Sequence, residues 1–271
     1  MDVDVLIVGG GPAGSNAALV LARSRRSVLL CDDGKPRNAA SHALHGLLAH
    51  DGEEPEAFRE KSRASLKRYP AIAVREDRVV ALSGQDGAFD FELMTGAKGR
   101  AAKVLLATGI TDELPQLPGI EDYYGLSVHH CLYCDGYEYR DKNIAAYGEP
   151  KRVVELAMLM RQWSPKILLC TDGAALTAEQ HERLKCTGII ACERKVTELS
   201  GNSGQLASIQ FDDGTSRDCA ALFFLTSSRP SSRLGDSLGC DPKGGLLFRR
   251  PARAACLGCS PRVTQRVTFC K

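Results

Sequence analysis

Apolar residues come in short runs along this chain, and polar stretches with helical spacing separate them. The first run, Asp4-Val5-Leu6-Ile7-Val8, shows no polar alternation, which predicts a parallel strand buried on both faces. It leads into Gly9-Gly10-Gly11-Pro12-Ala13-Gly14, a helical stretch over Ser15–Ser24 and a second apolar run, Val28-Leu29-Leu30-Cys31. Residues 53–68 read as a helix with Pro55 near its start and basic residues toward its end. Short strands are expected at Ala73-Val74, Val79–Leu82 and Phe89–Met94, and a buried one at Lys103–Gly109. Pro115 and Pro118-Gly119 mark a linker. The pattern then returns: strand Asn143–Gly148, helix Lys151–Trp163, strand Lys166–Cys170, helix Ala178–Lys185 and strand Ile189–Cys192. A hairpin across 196–219 and the strand Ala221–Leu225 complete it. Two βαβ units in tandem predict an α/β fold.

The first glycine turn stands where a dinucleotide-binding unit needs it, between a strand and a helix, with Asp32 ending the next strand 18 residues beyond Gly14. Each position has a physical task. Gly9 permits the tight turn, Gly11 lets backbone approach a diphosphate, and Gly14 lets the helix pack close to the strand. The free N–H groups of the helix start face the phosphates. The Asp32 carboxylate would accept hydrogen bonds from a ribose diol.

Between the two units lies His129-His130-Cys131-Leu132-Tyr133-Cys134-Asp135-Gly136. Two thiols three apart can close a disulfide or hold half of a zinc site. Zinc needs two further ligands at short spacing, and His129 and His130 precede the pair directly instead of forming a second cluster. Asp135 adds a carboxylate able to shuttle the proton that thiol–disulfide exchange demands. A redox-active disulfide is the expectation, with no metal.

Composition narrows the setting. A chain of 271 residues, 44% hydrophobic and 25% charged, supports one or two domains with a full-sized core. A formal net charge of +2, with interspersed signs, gives no reason to expect nucleic acid or an anionic membrane as partner. The first strand begins at residue 3 and no apolar run reaches the length of a membrane span, so a cytoplasmic protein is expected. Of eleven cysteines, Cys31, Cys170 and Cys192 sit inside apolar runs and read as small buried hydrophobes. Only Cys131/Cys134 and Cys256/Cys259 have CxxC spacing.

Taken in order, Gly9–Gly14, Asp32, Ala107-Thr108-Gly109 and Cys131-Leu132-Tyr133-Cys134-Asp135-Gly136 resemble the thioredoxin reductase-like flavoproteins among the pyridine nucleotide-disulfide oxidoreductases. Lys35-Pro36-Arg37-Asn38, His45-Gly46 and Cys134-Asp135-Gly136-Tyr137-Glu138 resemble a bacterial branch of that family. The resemblance implies two Rossmann-like domains in a three-layer sandwich, the second inserted into the first. An FAD-binding domain would span 1–115 and 232–271, and an NAD(P)-binding-like domain carrying the CxxC would span 116–231. FAD would rest on Gly9, Gly11, Pro12, Ala13, Gly14, Asp32, Asn38, His45, Ala107, Thr108 and Gly109. NADPH would rest on the second unit at Gly148. Cys134 would face the flavin, Cys131 would attack substrate and Asp135 would be the acid/base. Electrons would pass from NADPH through FAD to this pair and on to a thioredoxin-like protein or a small-molecule disulfide, in a homodimer such as relatives commonly form. Relatives with His after the second cysteine oxidise small dithiols with oxygen, and Asp135 tilts this chain toward the reductase type. Oxygen-dependent dithiol oxidation and a non-catalytic remnant with loose nucleotide binding stay open.

Two departures from the family matter. The second turn reads Gly148-Glu149-Pro150-Lys151-Arg152-Val153, which keeps one glycine of the fingerprint. Thr171-Asp172-Gly173 stands where a basic cluster would clamp the NADPH 2′-phosphate, so NADPH binding is in doubt. The other departure is the tail from Arg249, which lacks strand or helix periodicity. A shifted reading frame over Cys256–Lys271 can encode a Pro-Gly turn and an Ala-Gly-Asp in the family's order. A frameshift between about Gly245 and Cys256 is therefore expected, with Cys256 and Cys259 accidental and flavin held weakly.

Overall fold

The computed structural model describes residues 1–239 and the backbone of Thr268–Phe269. The tail motifs, including Cys256 and Cys259, lie outside the described residues. In chain order, β1 (Asp2–Val8), α1 (Pro12–Arg23), β2 (Val28–Cys31), α2 (Pro55–Lys67) and β3 (Ile72–Arg75) come first. They are followed by β4 (Val79–Gln85), β5 (Ala88–Leu93), β6 (Lys98–Leu106) and β7 (Ile110–Glu113). Next come α3 (Ile120–Tyr123), β8 (Val128–His129), α4 (Leu132–Asp135), β9 (Ile144–Tyr147), α5 (Pro150–Met160), β10 (Ile167–Cys170), α6 (Ala178–Lys185) and β11 (Ile190–Cys192). The strands β12 (Val196–Asn202), β13 (Gln205–Phe211), β14 (Ser216–Asp218), β15 (Ala221–Phe224), β16 (Ser227–Pro230) and β17 (Thr268–Phe269) complete the order.

Packing divides these elements into two compact units. One holds Met1–Ala39, Glu56–Asp112 and the described residues from Ser228 on; the other holds Ala40–Pro55 and Glu113–Ser227. In the first unit the strands run β3-β2-β1-β6-β5-β4, with β17 also against β6. The pairings β3–β2, β2–β1 and β1–β6 are parallel, whereas β6–β5 and β5–β4 are antiparallel. Leu6 and Ile7 of β1 are fully buried, and burying each contributes about 1.5–3 kcal/mol. This is why an unbroken apolar run becomes the central strand.

The second unit is a parallel sheet, β11-β10-β9-β15-β8, with a separate antiparallel sheet, β12-β13-β14, where the sequence predicts a hairpin. Buried Val153, Val154, Ala157 and Met160 of α5 pack with Ile144, Ala146 and Leu169 of the sheet.

Element boundaries differ from the sequence expectation in physically legible ways. The first helix starts at Pro12 instead of Ser15, because Gly11 caps it in extended conformation and proline, lacking an N–H, suits the first helical position. β6 begins at Lys98, its first half lying beside β5 with exposed side chains that hide it from a search for apolar runs. Pro118-Gly119 is no loose linker: Gly119 (φ +82°) leads into α3, and Leu199 donates its amide to the Pro118 carbonyl. Cys31 and Cys170 are buried as expected, and Cys219 joins them, while Cys192 is only partly buried against the core.

Candidate functional site

In the first unit the glycine turn packs against what flanks it. A Cβ on Gly9 (φ +103°) would stand 2.4 Å from the Ala107 carbonyl oxygen, and one on Gly14 would stand 1.9 Å from the Gly9 carbonyl oxygen. A Cβ on Gly10 would meet an Asp32 carboxylate oxygen at 2.6 Å, whereas in front of Gly11 nothing lies within 4 Å. The turn is therefore closed on three sides by backbone and carboxylate and open at Gly11. The first N–H groups of α1, at Ala13 and Gly14, have no partner one turn earlier in the helix. Such an open cradle at a helix start fits the diphosphate of a dinucleotide. Ala107 donates its amide to Val8, and Gly109 (φ +69°) follows in a left-handed turn. Gly9–Gly14, Asp32 and Ala107 thus come together at the ends of β1, β2 and β6.

Asp32 carries partners the sequence did not disclose. Its Oδ2 accepts from Arg59 at 3.2 Å and Arg63 at 3.4 Å, and its Oδ1 accepts from the Gly34 amide. Arg59 and Arg63 stand four apart on α2, so both reach one carboxylate from the same helix face. That spacing was the available signal. Asn38 is partly buried in the first unit. His45 belongs to the second, 3.5 Å from Asp51 and 3.8 Å from Glu138.

In the second unit Cys131 and Cys134 are joined in a disulfide, Cα atoms 5.3 Å apart. They span the single turn of α4. Leu132 is buried, Tyr133 and Cys134 are exposed, and Cys131 is partly buried. Tyr133 meets the indole of Trp163 edge-on. Asp135 donates its amide to the Cys131 carbonyl, and its carboxylate lies 3.4 Å from Nδ1 of His129. His129 is 5% exposed, stacks on Phe223 and meets Tyr139 at a tilt. Its Nε2 has no hydrogen-bond partner among the described residues. Burial, and then the charges of Asp135 and Glu138, push the Tyr139 phenol up to about 12. No cluster of His, Cys, Asp and Glu among the described residues is placed to hold a metal.

The second nucleotide turn is built differently from the first. Gly148 (φ +147°) still needs glycine, but Val153 stands where a third glycine would, its Cβ 4.0 Å from the position a Cβ on Gly148 would take. The start of α5 therefore stands farther from the turn than α1 does from Gly9. Beside it opens a cavity of about 530 Å³, lined among others by Gly148, Glu149, Arg152, Thr171 and Asp172.

Two α/β units with glycine turns at their parallel strand ends, and a disulfide beside a carboxylate, fit an oxidoreductase built on dinucleotide-binding folds. The family model for the pyridine nucleotide-disulphide oxidoreductases matches residues 3–254, and the chain belongs to that family. It is an oxidoreductase of the thioredoxin reductase-like kind, whose family uses FAD and NADPH. It is 31% identical over 266 residues to thioredoxin reductase tcpT of Claviceps purpurea, covering 93% of this chain and 83% of that one. With a protein of Arthroderma benhamiae named "Probable thioredoxin reductase" it shares 34% identity over 182 residues, 65% of this chain but only 45% of that protein. The crystal structure of an oxidoreductase from Agrobacterium tumefaciens superposes with a TM-score of 0.83 at 33% identity, covering 89% of this chain and 80% of that one. No helix among the described residues is long and apolar enough to cross a membrane.

Proposed function

We propose that this chain catalyses electron transfer from a reduced nicotinamide nucleotide, by way of FAD, to the Cys131–Cys134 disulfide and on to a disulfide substrate. The observation that carries the reading is the closed Cys131–Cys134 bridge with Asp135 next in sequence, in a chain that also holds an open glycine cradle. Gly9–Gly14, Asp32 and Ala107–Gly109 would hold FAD, and bound FAD supplies a two-electron exchange. Two electrons and two protons open the bridge to two thiols. One thiolate then attacks the substrate disulfide to form a mixed disulfide, and the second displaces it, releasing a reduced dithiol and restoring the bridge. Asp135 moves the proton that each exchange gains or loses. The substrate is a thioredoxin-like protein or a small-molecule disulfide, and the enzyme works as a homodimer in the cytoplasm.

The test is a disulfide-reduction assay on the purified chain supplied with FAD, using a chromogenic aromatic disulfide and NADH or NADPH. Nucleotide-dependent thiol release that disappears in Cys134→Ser supports the reading. Oxygen consumption with a dithiol and no nucleotide would replace it with dithiol oxidation. Neither activity, with no flavin retained, would identify a non-catalytic remnant.

A further inference from the structure

In a βαβ dinucleotide site the end of the second strand chooses the cofactor. An acid there accepts hydrogen bonds from a free ribose 2′-hydroxyl, whereas a basic residue accommodates a 2′-phosphate. In the second unit that strand is β10, parallel to β9 with Cys170 beside Tyr147. Thr171 and Asp172 follow it directly, and both line the cavity that opens at Gly148.

Asp172 is fixed there from two sides. Its Oδ2 accepts from the Tyr147 hydroxyl at 2.8 Å and its Oδ1 from the Val196 amide at 3.0 Å. Its backbone takes a left-handed conformation, φ +54°, uncommon for a residue with a side chain. Each oxygen has a second lone pair, so these contacts orient the carboxylate without exhausting it.

The charge around it points the same way. The cavity lining holds the carboxylates of Glu113, Glu149 and Asp172 against one guanidinium, Arg152. Arg152 sits in the first turn of α5, where a diphosphate is bound, and not at the end of β10. Of the two cations beside the turn, Arg194 already pairs with Asp213 at 2.9 Å, and Lys195, whose Cβ lies 3.8 Å from the place a Cβ on Gly173 would take, does not line the cavity. A 2′-phosphate carries ~1.5–2 negative charges at neutral pH, by analogy with phosphorylated side chains. It would enter among like charges.

We infer that Asp172 makes the second unit select a dinucleotide with a free adenosine 2′-hydroxyl, NADH, over the 2′-phosphorylated NADPH that the family uses. The inference deepens the function proposed above and rests on its nucleotide site, while it concerns binding and not turnover.

Isothermal titration of the full chain with NADH, NADPH, ADP-ribose and 2′-phospho-ADP-ribose tests it directly. The expected result is at least about tenfold tighter binding of each 2′-hydroxyl ligand than of its phosphorylated counterpart. Asp172→Asn keeps an acceptor but removes the charge, and should raise NADPH affinity and narrow the ratio. Equal affinities, tighter NADPH, or no binding of either nucleotide would overturn the inference. So would an unchanged ratio in a folded Asp172→Asn variant. If that variant does not fold, the wild-type titrations are repeated across a range of salt concentrations: a preference for the 2′-hydroxyl ligands that shrinks as salt screens the charge supports assignment to the carboxylate, and one that salt leaves unchanged refutes it. NADH preference without disulfide turnover would remove only the function proposed above, and turnover with preferred NADPH would remove only this inference.

Discussion

Nδ1 of His129 lies 3.4 Å from Oδ1 of Asp135, with the imidazole sealed between Phe223 and Tyr139. The carboxylate beside the redox pair is thus backed by a buried ring that water does not reach. Asp135→Asn should lower disulfide turnover by about 10²–10⁴-fold, the usual worth of a positioned acid/base. His129→Phe keeps the aromatic stack and removes the polar contact, and should cost about tenfold, or about 1.4 kcal/mol of a charge-assisted contact. Steady-state turnover checks both, with thermal melting showing that each variant is folded. Equal rates in wild type and Asp135→Asn would exclude the carboxylate from proton transfer.

Gly11 and Gly14 separate binding from folding. Gly14→Ala forces a methyl to 1.9 Å from the Gly9 carbonyl, and should destabilise by about 3 kcal/mol. Gly11→Ala meets nothing within 4 Å and has an ordinary φ of −66°, so its stability should stay within about 0.5 kcal/mol of wild type. It should nonetheless weaken FAD binding at least tenfold, because the methyl fills the open face. Urea denaturation and flavin titration of the two variants check the contrast.

Asp32 sits between two guanidiniums, its side chain and that of Arg59 each only 11% exposed. Asp32→Ala removes the carboxylate that Arg59 and Arg63 share, leaving Arg59 to Glu56 and Arg63 to Glu76, and should cost about 2 kcal/mol. The double variant Asp32→Ala/Arg63→Ala should recover part of that loss. Chemical denaturation midpoints measure both.

The thiols of Cys31 and Cys219 are pushed up to about 12, chiefly by burial. A raised thiol pKa favours the folded state only while the thiol keeps its proton. Its contribution is complete below the ordinary thiol value of 9.0 and is lost as pH rises from there toward 12. Urea midpoints should therefore fall across that window, and less steeply in Cys219→Ala than in wild type. Peptide mapping after brief native alkylation should label Cys186 first among the described free cysteines and leave Cys31, Cys170 and Cys219 unmodified.

The bridge itself should matter little to stability. A link between residues three apart constrains the unfolded chain by only about 2 kcal/mol. Cys134→Ser should therefore melt within a few degrees of wild type while losing disulfide turnover entirely. A large drop in melting temperature would mean that the pair is a structural staple.

Much of this architecture was legible because the parallel strands are buried on both faces. Unbroken apolar runs such as Ile144–Tyr147 and Ala221–Phe224 need no partner to be recognised. What escaped was decided at long range. β8 is two residues long and exists because it lies beside β15. Residues 40–52 have no helical or strand period, and packing alone assigns them to the second unit. Arg59 and Arg63 look like any polar face of a helix until folding sets them against Asp32. His129 drew notice only as a zinc ligand lacking companions, because its neighbour Asp135 lies across a turn that spacing alone does not reveal.

Cys186 caps the end of α6 with its thiol exposed. During aerobic storage two molecules can weld through that sulfur, and a doubled band on a non-reducing gel would then report ageing of the sample. Gauging self-association by sedimentation on Cys186→Ser material separates such welding from genuine assembly.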